Sequence, residues 1–226
     1  MTTMPWQTQL LTQRIFPGMR GGYFIEAGAS EGSLTSTTYD LEKRYGWHGI
    51  CVEPNELFFR ELKKNRDCHV FNCALHSEDG ELEFLSAGYY GAAREHVDEI
   101  HNERRLNPYD QPNYARDIDG EKRVVKVQAR SLRSIFAELG HKSQVDFFSL
   151  DVEGGEEFVL KGFPFDTHKI MVCIVETLFP AGGKKISHRH RPLVRAILEA
   201  NDMVFMGERE FDDIFVHADI LRAKFW

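Results

Sequence analysis

The carboxylates that end apolar runs are the first groups in this sequence with the means to do chemistry. In Phe147-Phe148-Ser149-Leu150-Asp151-Val152-Glu153-Gly154-Gly155-Glu156, an apolar run delivers Asp151 and Glu153 to its carboxyl end. Glycines then allow a helix to begin. Buried strands rarely close on two carboxylates without a use for them. A carboxylate so placed can take a proton, orient an ammonium group or hold a cation. Glu176 ends the apolar stretch 170–176 and is a second candidate on the same rim. Asp151 and Glu176 offer the hard oxygens that Mg²⁺ prefers. No full ligand set is readable, so no metal ligand is assigned and Mg²⁺ remains an unsupported option. Beyond Glu176, the stretch 181–192 gathers Lys184, Lys185, Arg189 and Arg191 with His188 and His190. A solvated basic loop is one reading of it, and a clamp for an anionic substrate is the other. His188 or His190 is the alternative general base.

A second set of residues surrounds a glycine turn. In Glu26-Ala27-Gly28-Ala29-Ser30-Glu31-Gly32 a strand ends, the chain turns on Gly28, and a helix opens beyond Gly32. Glycine there lets a ligand approach backbone N–H groups closely. A dinucleotide fingerprint needs further glycines two and five residues on, where this chain has Ser30 and Ser33. Glu26 would repel a pyrophosphate and suits an ammonium group. The next strand ends Val52-Glu53-Pro54, and Glu53 can accept from both hydroxyls of a ribose. Asn72-Cys73-Ala74-Leu75 follows a third strand, where an adenine edge would lie. Adenosine with an amino-acid tail and no phosphate describes S-adenosylmethionine (SAM). The cofactor candidates are therefore Glu26, Gly28, Ser30, Glu53, Asn72, Ala74, Asp151 and Glu153. Taken singly, each acidic residue has a plainer reading as a strand-end carboxylate.

The elements that must position these groups alternate along the chain. Apolar runs at Tyr23–Ala27, 49–53, 70–74, 145–151, 170–176 and 214–217 read as strands. Helical periodicity appears at 34–45, from Asn55 to residue 65, and at 131–139, Glu156–Lys161 and 192–200. Strands separated by helices predict βαβ units, hence a doubly wound, mainly parallel α/β sheet. Residues 203–206 and 212–217 read as a closing antiparallel pair. The stretch 81–85 alternates like a strand, and 124–128 resumes one. Between them 86–122 is polar and irregular, an expected insertion over the active face, with a mobile loop as the alternative. Residues 1–20 read as an N-terminal helical segment; 6–16 should pack on the sheet or, alternatively, on another subunit in a homodimer.

Composition narrows the class. With 226 residues, 42% of them hydrophobic, the chain can bury a core, and one domain over 1–226 is expected. A net charge of −7 argues against sequence-independent nucleic-acid binding, which neutralises phosphates with cations. No run is apolar enough to span a bilayer, and the start lacks the charged and apolar regions of a signal peptide. The four cysteines show no CxxC spacing, as expected of free thiols in a reducing cytoplasm.

Glu26-Ala27-Gly28-Ala29, Val52-Glu53-Pro54, Asn72-Cys73-Ala74-Leu75 and Leu150-Asp151-Val152-Glu153-Gly154-Gly155-Glu156, in this order, resemble the FkbM-type family of SAM-dependent methyltransferases. The resemblance covers residues 22–176 and continues weakly to Asp212-Asp213-Ile214-Phe215-Val216. It implies a class I methyltransferase (Rossmann-like) fold, with a seven-stranded sheet and SAM at the carboxyl ends of its first strands. It further implies methyl transfer to an oxygen, with a sugar, glycan or small hydroxylated metabolite as acceptor. Glu26, Gly28 and Glu53 match the family's cofactor positions, and Asp151 and Glu153 its motif after strand four. The 86–122 insertion matches no family feature. Two other readings stand beside this one. An NAD(P)-dependent oxidoreductase shares the sheet but lacks support from Ser30, Ser33 and Glu26, and a non-catalytic SAM-fold interaction module shares the fold without the chemistry.

Overall fold

The computed structural model of the chain describes residues 4–86, 91–94, 123–140, 143–181 and 184–225. Its centre is a seven-stranded sheet in the order β12-β13-β9-β8-β1-β2-β3. Five of these strands are parallel: β1 (Tyr23–Ala27), β2 (His48–Val52), β3 (His69–Phe71), β8 (Gln144–Leu150) and β9 (Lys169–Glu176). The closing pair, β12 (Met203–Arg209) and β13 (Asp212–His217), runs antiparallel and joins the sheet through β13 and β9. Strand order reverses between β1 and β8, so the crevice beyond their carboxyl ends is the expected ligand site.

Alternating side chains of these strands fill two cores, one on each face. On one face Ile25, Ile50, Phe148 and Cys173 meet α4 (Leu132–Leu139), α5 (Glu156–Lys161) and α6 (Arg191–Glu199) through Leu132, Ile135, Leu160 and Val194. On the other, Phe24, Cys51, Phe147 and Val172 cluster with Trp6 of α1 (Trp6–Leu10) and Leu11 of the π-turn Leu11–Ile15. Leu41 of α2 (Tyr39–Tyr45) and Leu62 of α3 (Glu56–Asn65) complete that cluster. Among the described residues no helix is long and apolar enough to cross a membrane. The α3 cap falls where the sequence puts it, with Asn55 accepting from the Leu57 N–H at 3.0 Å.

Three local expectations are corrected. The helix expected over 34–45 begins only at Tyr39, because residues 36–38 turn their hydroxyls and an amide toward Glu26 instead of a helical ladder. The strand expected over 70–74 is two strands in different sheets. β3 ends at Phe71, and β4 (Ala74–Leu75) joins a second sheet of order β4-β7-β5-β6 with β7 (Arg123–Arg130), β5 (Gly80–Ser86) and β6 (Ala92–Ala93). The stretch 181–192, expected as a loop, instead opens with β11 (Lys184–Ser187), which pairs antiparallel with β10 (Leu178–Ala181) as a hairpin. A last helix, α7 (Ala218–Phe225), follows β13. Of the insertion at 86–122, residues 87–90 and 95–122 lie outside the described residues, and so does the lid expected of them.

Candidate active site

An open cleft lies beyond the carboxyl ends of β1, β2 and β8, where ligands bind in open α/β sheets. Six of the expected cofactor residues line it: Gly28, Ser30, Glu53, Ala74, Asp151 and Glu153. The glycine at 28 is dictated by close approach. Gly28 has φ +76°, and a Cβ there would stand 1.8 Å from the Asp151 carbonyl oxygen. Any side chain would drive the β1 and β8 turns apart.

Glu53 is 6% exposed, and each of its oxygens accepts one backbone N–H, from Ser30 and from Asn55, both at 2.8 Å. Each oxygen retains room to accept from a ligand hydroxyl. Burial pushes the Glu53 carboxyl up to about 7, against the Asn55 and Ser30 amides, which favour its charged form. The Ser30 hydroxyl is buried and lines the same cleft, with no hydrogen-bond partner among the described residues. Ser30 holds φ +50°, a constrained backbone beside the Glu53 contact.

Asp151, Glu153 and Glu176 bring ligand oxygens within 4.8 Å of one another, so the two rim carboxylates expected from β8 and the one from β9 converge. Asp212 joins their field from β13, where it pairs in register with Glu176. Burial first, then the Asp151 charge, pushes the Asp212 carboxyl up to about 7. Asp151 and Glu153 bring this acidic group to the wall of the cleft, where carboxylates attract a cationic ligand. The spacing of the trio alone does not point to a metal, and none is assigned.

Three expected site residues are placed elsewhere. Glu26 is buried beneath the 28–38 loop and accepts from Ser36 Oγ (2.7 Å), Thr38 Oγ1 (2.6 Å), the Thr37 amide (2.7 Å) and Arg66 (3.0 Å). Its charge is matched by the buried Arg66 guanidinium, which also pairs with Glu42 at 2.6 Å. Glu26 therefore supports the 28–38 loop from below. Asn72 donates to the backbone carbonyls of Glu53 (2.9 Å) and Pro54 (3.2 Å), fixing the β2 end from outside the cleft. His188 is buried against the Phe179 ring at 4.8 Å. His190 is held by Glu157 at 2.7 Å, and Arg191 is paired with Asp213 at 2.6 Å. Of the basic stretch, Lys184, Lys185 and Arg189 are exposed.

Sequence reasoning missed the wall of the cleft. Phe58 from α3, Phe84 from β5, and Gly91 and Ala93 around β6 close it on the side of Cys73-Ala74-Leu75. Gly91 is packed so tightly that a Cβ would meet the Phe84 ring at 2.6 Å. The pairing of β5 with β6 brings Phe84, Gly91 and Ala93 to the site.

A parallel sheet closed by an antiparallel pair, with the cleft at its switch point and an acidic residue ending β2, defines the class I methyltransferase architecture. The chain belongs to the FkbM family within it, for the methyltransferase FkbM domain matches residues 26–214. The crystal structure of methyltransferase FkbM from Methylobacillus flagellatus superposes with a TM-score of 0.53 at 14% identity, over 93% of this chain and 48% of that one. This chain thus spans about half the length of that protein. A TehB-like SAM-dependent methyltransferase from Corynebacterium glutamicum gives a TM-score of 0.42 at 10% identity, over 96% of this chain and 89% of that one. A methyltransferase from Pyrococcus furiosus gives 0.39 at 14% identity, over 95% and 83%. No curated protein matches the chain.

Proposed function

We propose that this protein is a SAM-dependent O-methyltransferase acting on a hydroxyl of a sugar, glycan or small hydroxylated metabolite. The observation that carries the reading is the division of the cleft. Glu53 presents two acceptor oxygens at the β2 end, and Asp151 and Glu153 line the cleft after β8, with a Glu176 oxygen within 4.8 Å of theirs. A ribose diol fits the first, and the ammonium and sulfonium of SAM fit the second. Ser30 adds a buried hydroxyl to the lining of the same cleft. Membership of the FkbM family supports the same reaction class.

When bound, SAM supplies an electrophilic methyl group for in-line displacement. The chain's own task is then to hold donor and acceptor aligned and to remove the acceptor's hydroxyl proton. Asp151 is the first candidate for that proton because it is exposed, lines the cleft and ends β8. Glu176 is the second. Exposed Lys184 and Lys185 on β11 suit an acceptor that carries negative charge.

Asp151→Asn keeps the size of the side chain and removes its charge. With Asp151 as the base, turnover falls by roughly 10²–10⁴ while SAM affinity changes little. Affinity falling in step with rate would make it a cofactor-orienting residue instead. Transfer of labelled methyl from SAM, screened across hydroxylated metabolites and glycans, tests the activity. A chain that binds SAM but methylates none of them would favour the interaction module, and one that binds NAD more tightly than SAM would overturn the cofactor assignment.

A further inference from the structure

The turn that joins β8 to α5 is held against its own backbone preferences. Glu153 sits at φ +60° and Gly154 at φ +106°. A residue with a Cβ occupies the left-handed region only where its surroundings enforce it. One constraint comes from β1, where the Asp151 N–H donates to the Ala27 carbonyl at 3.2 Å and the Asp151 carbonyl fills the notch left by Gly28.

The second constraint is Glu156. This residue is 2% exposed, opens α5, and stands outside the lining of the cleft. Its Oε1 turns back along the chain and accepts from the N–H of Val152 at 3.1 Å and of Gly154 at 3.0 Å. The amides on either side of Glu153 are thereby tied to one carboxylate oxygen. Asp151, Val152, Glu153 and Gly155, the residues around those amides, all line the cleft. A buried carboxylate is costly unless hydrogen bonds satisfy it, and here the bonds it makes are the ones that shape the turn.

We propose that Glu156 is the positioning residue of the cofactor site, clasping the Val152 and Gly154 amides so that Asp151 and Glu153 face the cleft. The inference rests on the reading of the cleft as a SAM site. It requires the clasp to matter for the amino-acid end of the cofactor and not for the adenosine end, which Glu53 serves from another strand.

Calorimetric titration with two ligands separates these ends. S-adenosylhomocysteine carries the amino-acid group, and 5′-methylthioadenosine lacks it. Glu156→Ala should weaken S-adenosylhomocysteine about tenfold, the scale of one net hydrogen bond, and leave methylthioadenosine unchanged. Glu156→Gln, whose side-chain carbonyl still accepts from both amides, should recover most of that loss. Where Glu156→Ala does not fold, Glu156→Asp carries the test, since it keeps the charge but is too short to reach both amides, and it should show the same ligand-selective loss. Equal weakening of both ligands, unchanged binding of both, or a glutamine variant as impaired as the alanine one would overturn the proposal. A wild-type chain that binds neither ligand would instead remove the SAM reading, and the clasp with it.

Discussion

Two carboxylates that line the cleft, Asp151 and Glu53, differ in what surrounds them. Asp151 is exposed at the rim, whereas Glu53 is buried and raised to about 7, chiefly by burial. A ribose donating two hydroxyls to Glu53 favours its charged form. Cofactor affinity is therefore expected to rise as pH increases from 6 to 8, with proton release on binding. Isothermal titration in buffers of different ionisation enthalpy measures both, and an affinity that fell over this range would contradict the assignment. Glu53→Gln should flatten the pH dependence. Glu53→Ala should weaken S-adenosylhomocysteine by roughly 1–3 kcal/mol, the cost of leaving ligand hydroxyls unpaired. Glu26, so similar in sequence context, belongs to a different system, because Ser36, Thr37, Thr38 and Arg66 occupy both of its oxygens.

That system governs an element. The 28–38 loop is tied down by Glu26 and by Arg66, whose guanidinium also donates to Ser36 Oγ at 3.0 Å and Thr38 Oγ1 at 2.8 Å. Arg66 follows α3, so one buried side chain links the end of that helix to the loop of β1 and to Glu42 of α2. Arg66→Met fills much of the space, leaves the buried Glu26 without its cation and leaves Glu42 with Lys43, at 3.1 Å. Losing one partner of a buried pair costs about 3–5 kcal/mol. For a chain of this size that is roughly 6–20 °C in melting temperature. Thermal unfolding followed by circular dichroism checks it, and a shift under about 2 °C would show the network to be dispensable. The small second sheet has its own role, since its β5–β6 pairing sets Phe84, Gly91 and Ala93 in the wall of the cleft.

Among the described residues, burial raises three carboxyls, Glu53, Glu156 and Asp212, to about 7 from usual values of 4.5, 4.5 and 3.8. The folded chain thus holds more protons than the unfolded one between those limits. Their stabilisation is fully present below the unfolded values and is lost as pH rises through about 7. The ligand-free protein should melt at progressively lower temperature from pH 5 to pH 8, as read by differential scanning fluorimetry. A melting temperature that rose across that range would refute the assignment. Paired carboxyls such as Asp213 are held below their usual value, as Arg191 and Arg195 outweigh burial, so their contribution is lost only at lower pH. The sequence by itself determined the doubly wound sheet, because strand and helix periods alternate locally and apolar runs of strand length leave few other packings. It also determined the cleft's position, because strand-end residues such as Gly28, Glu53 and Asp151 must lie at the carboxyl edge. Only the tertiary structure decided which way each carboxylate turns. Glu26 and Glu53 both end strands, yet Arg66, forty residues from Glu26 in the chain, draws the first away from the cleft. The second sheet was illegible for the same reason: β4 pairs with β7 and β7 with β5 across long separations, and no local period records a pairing between distant strands.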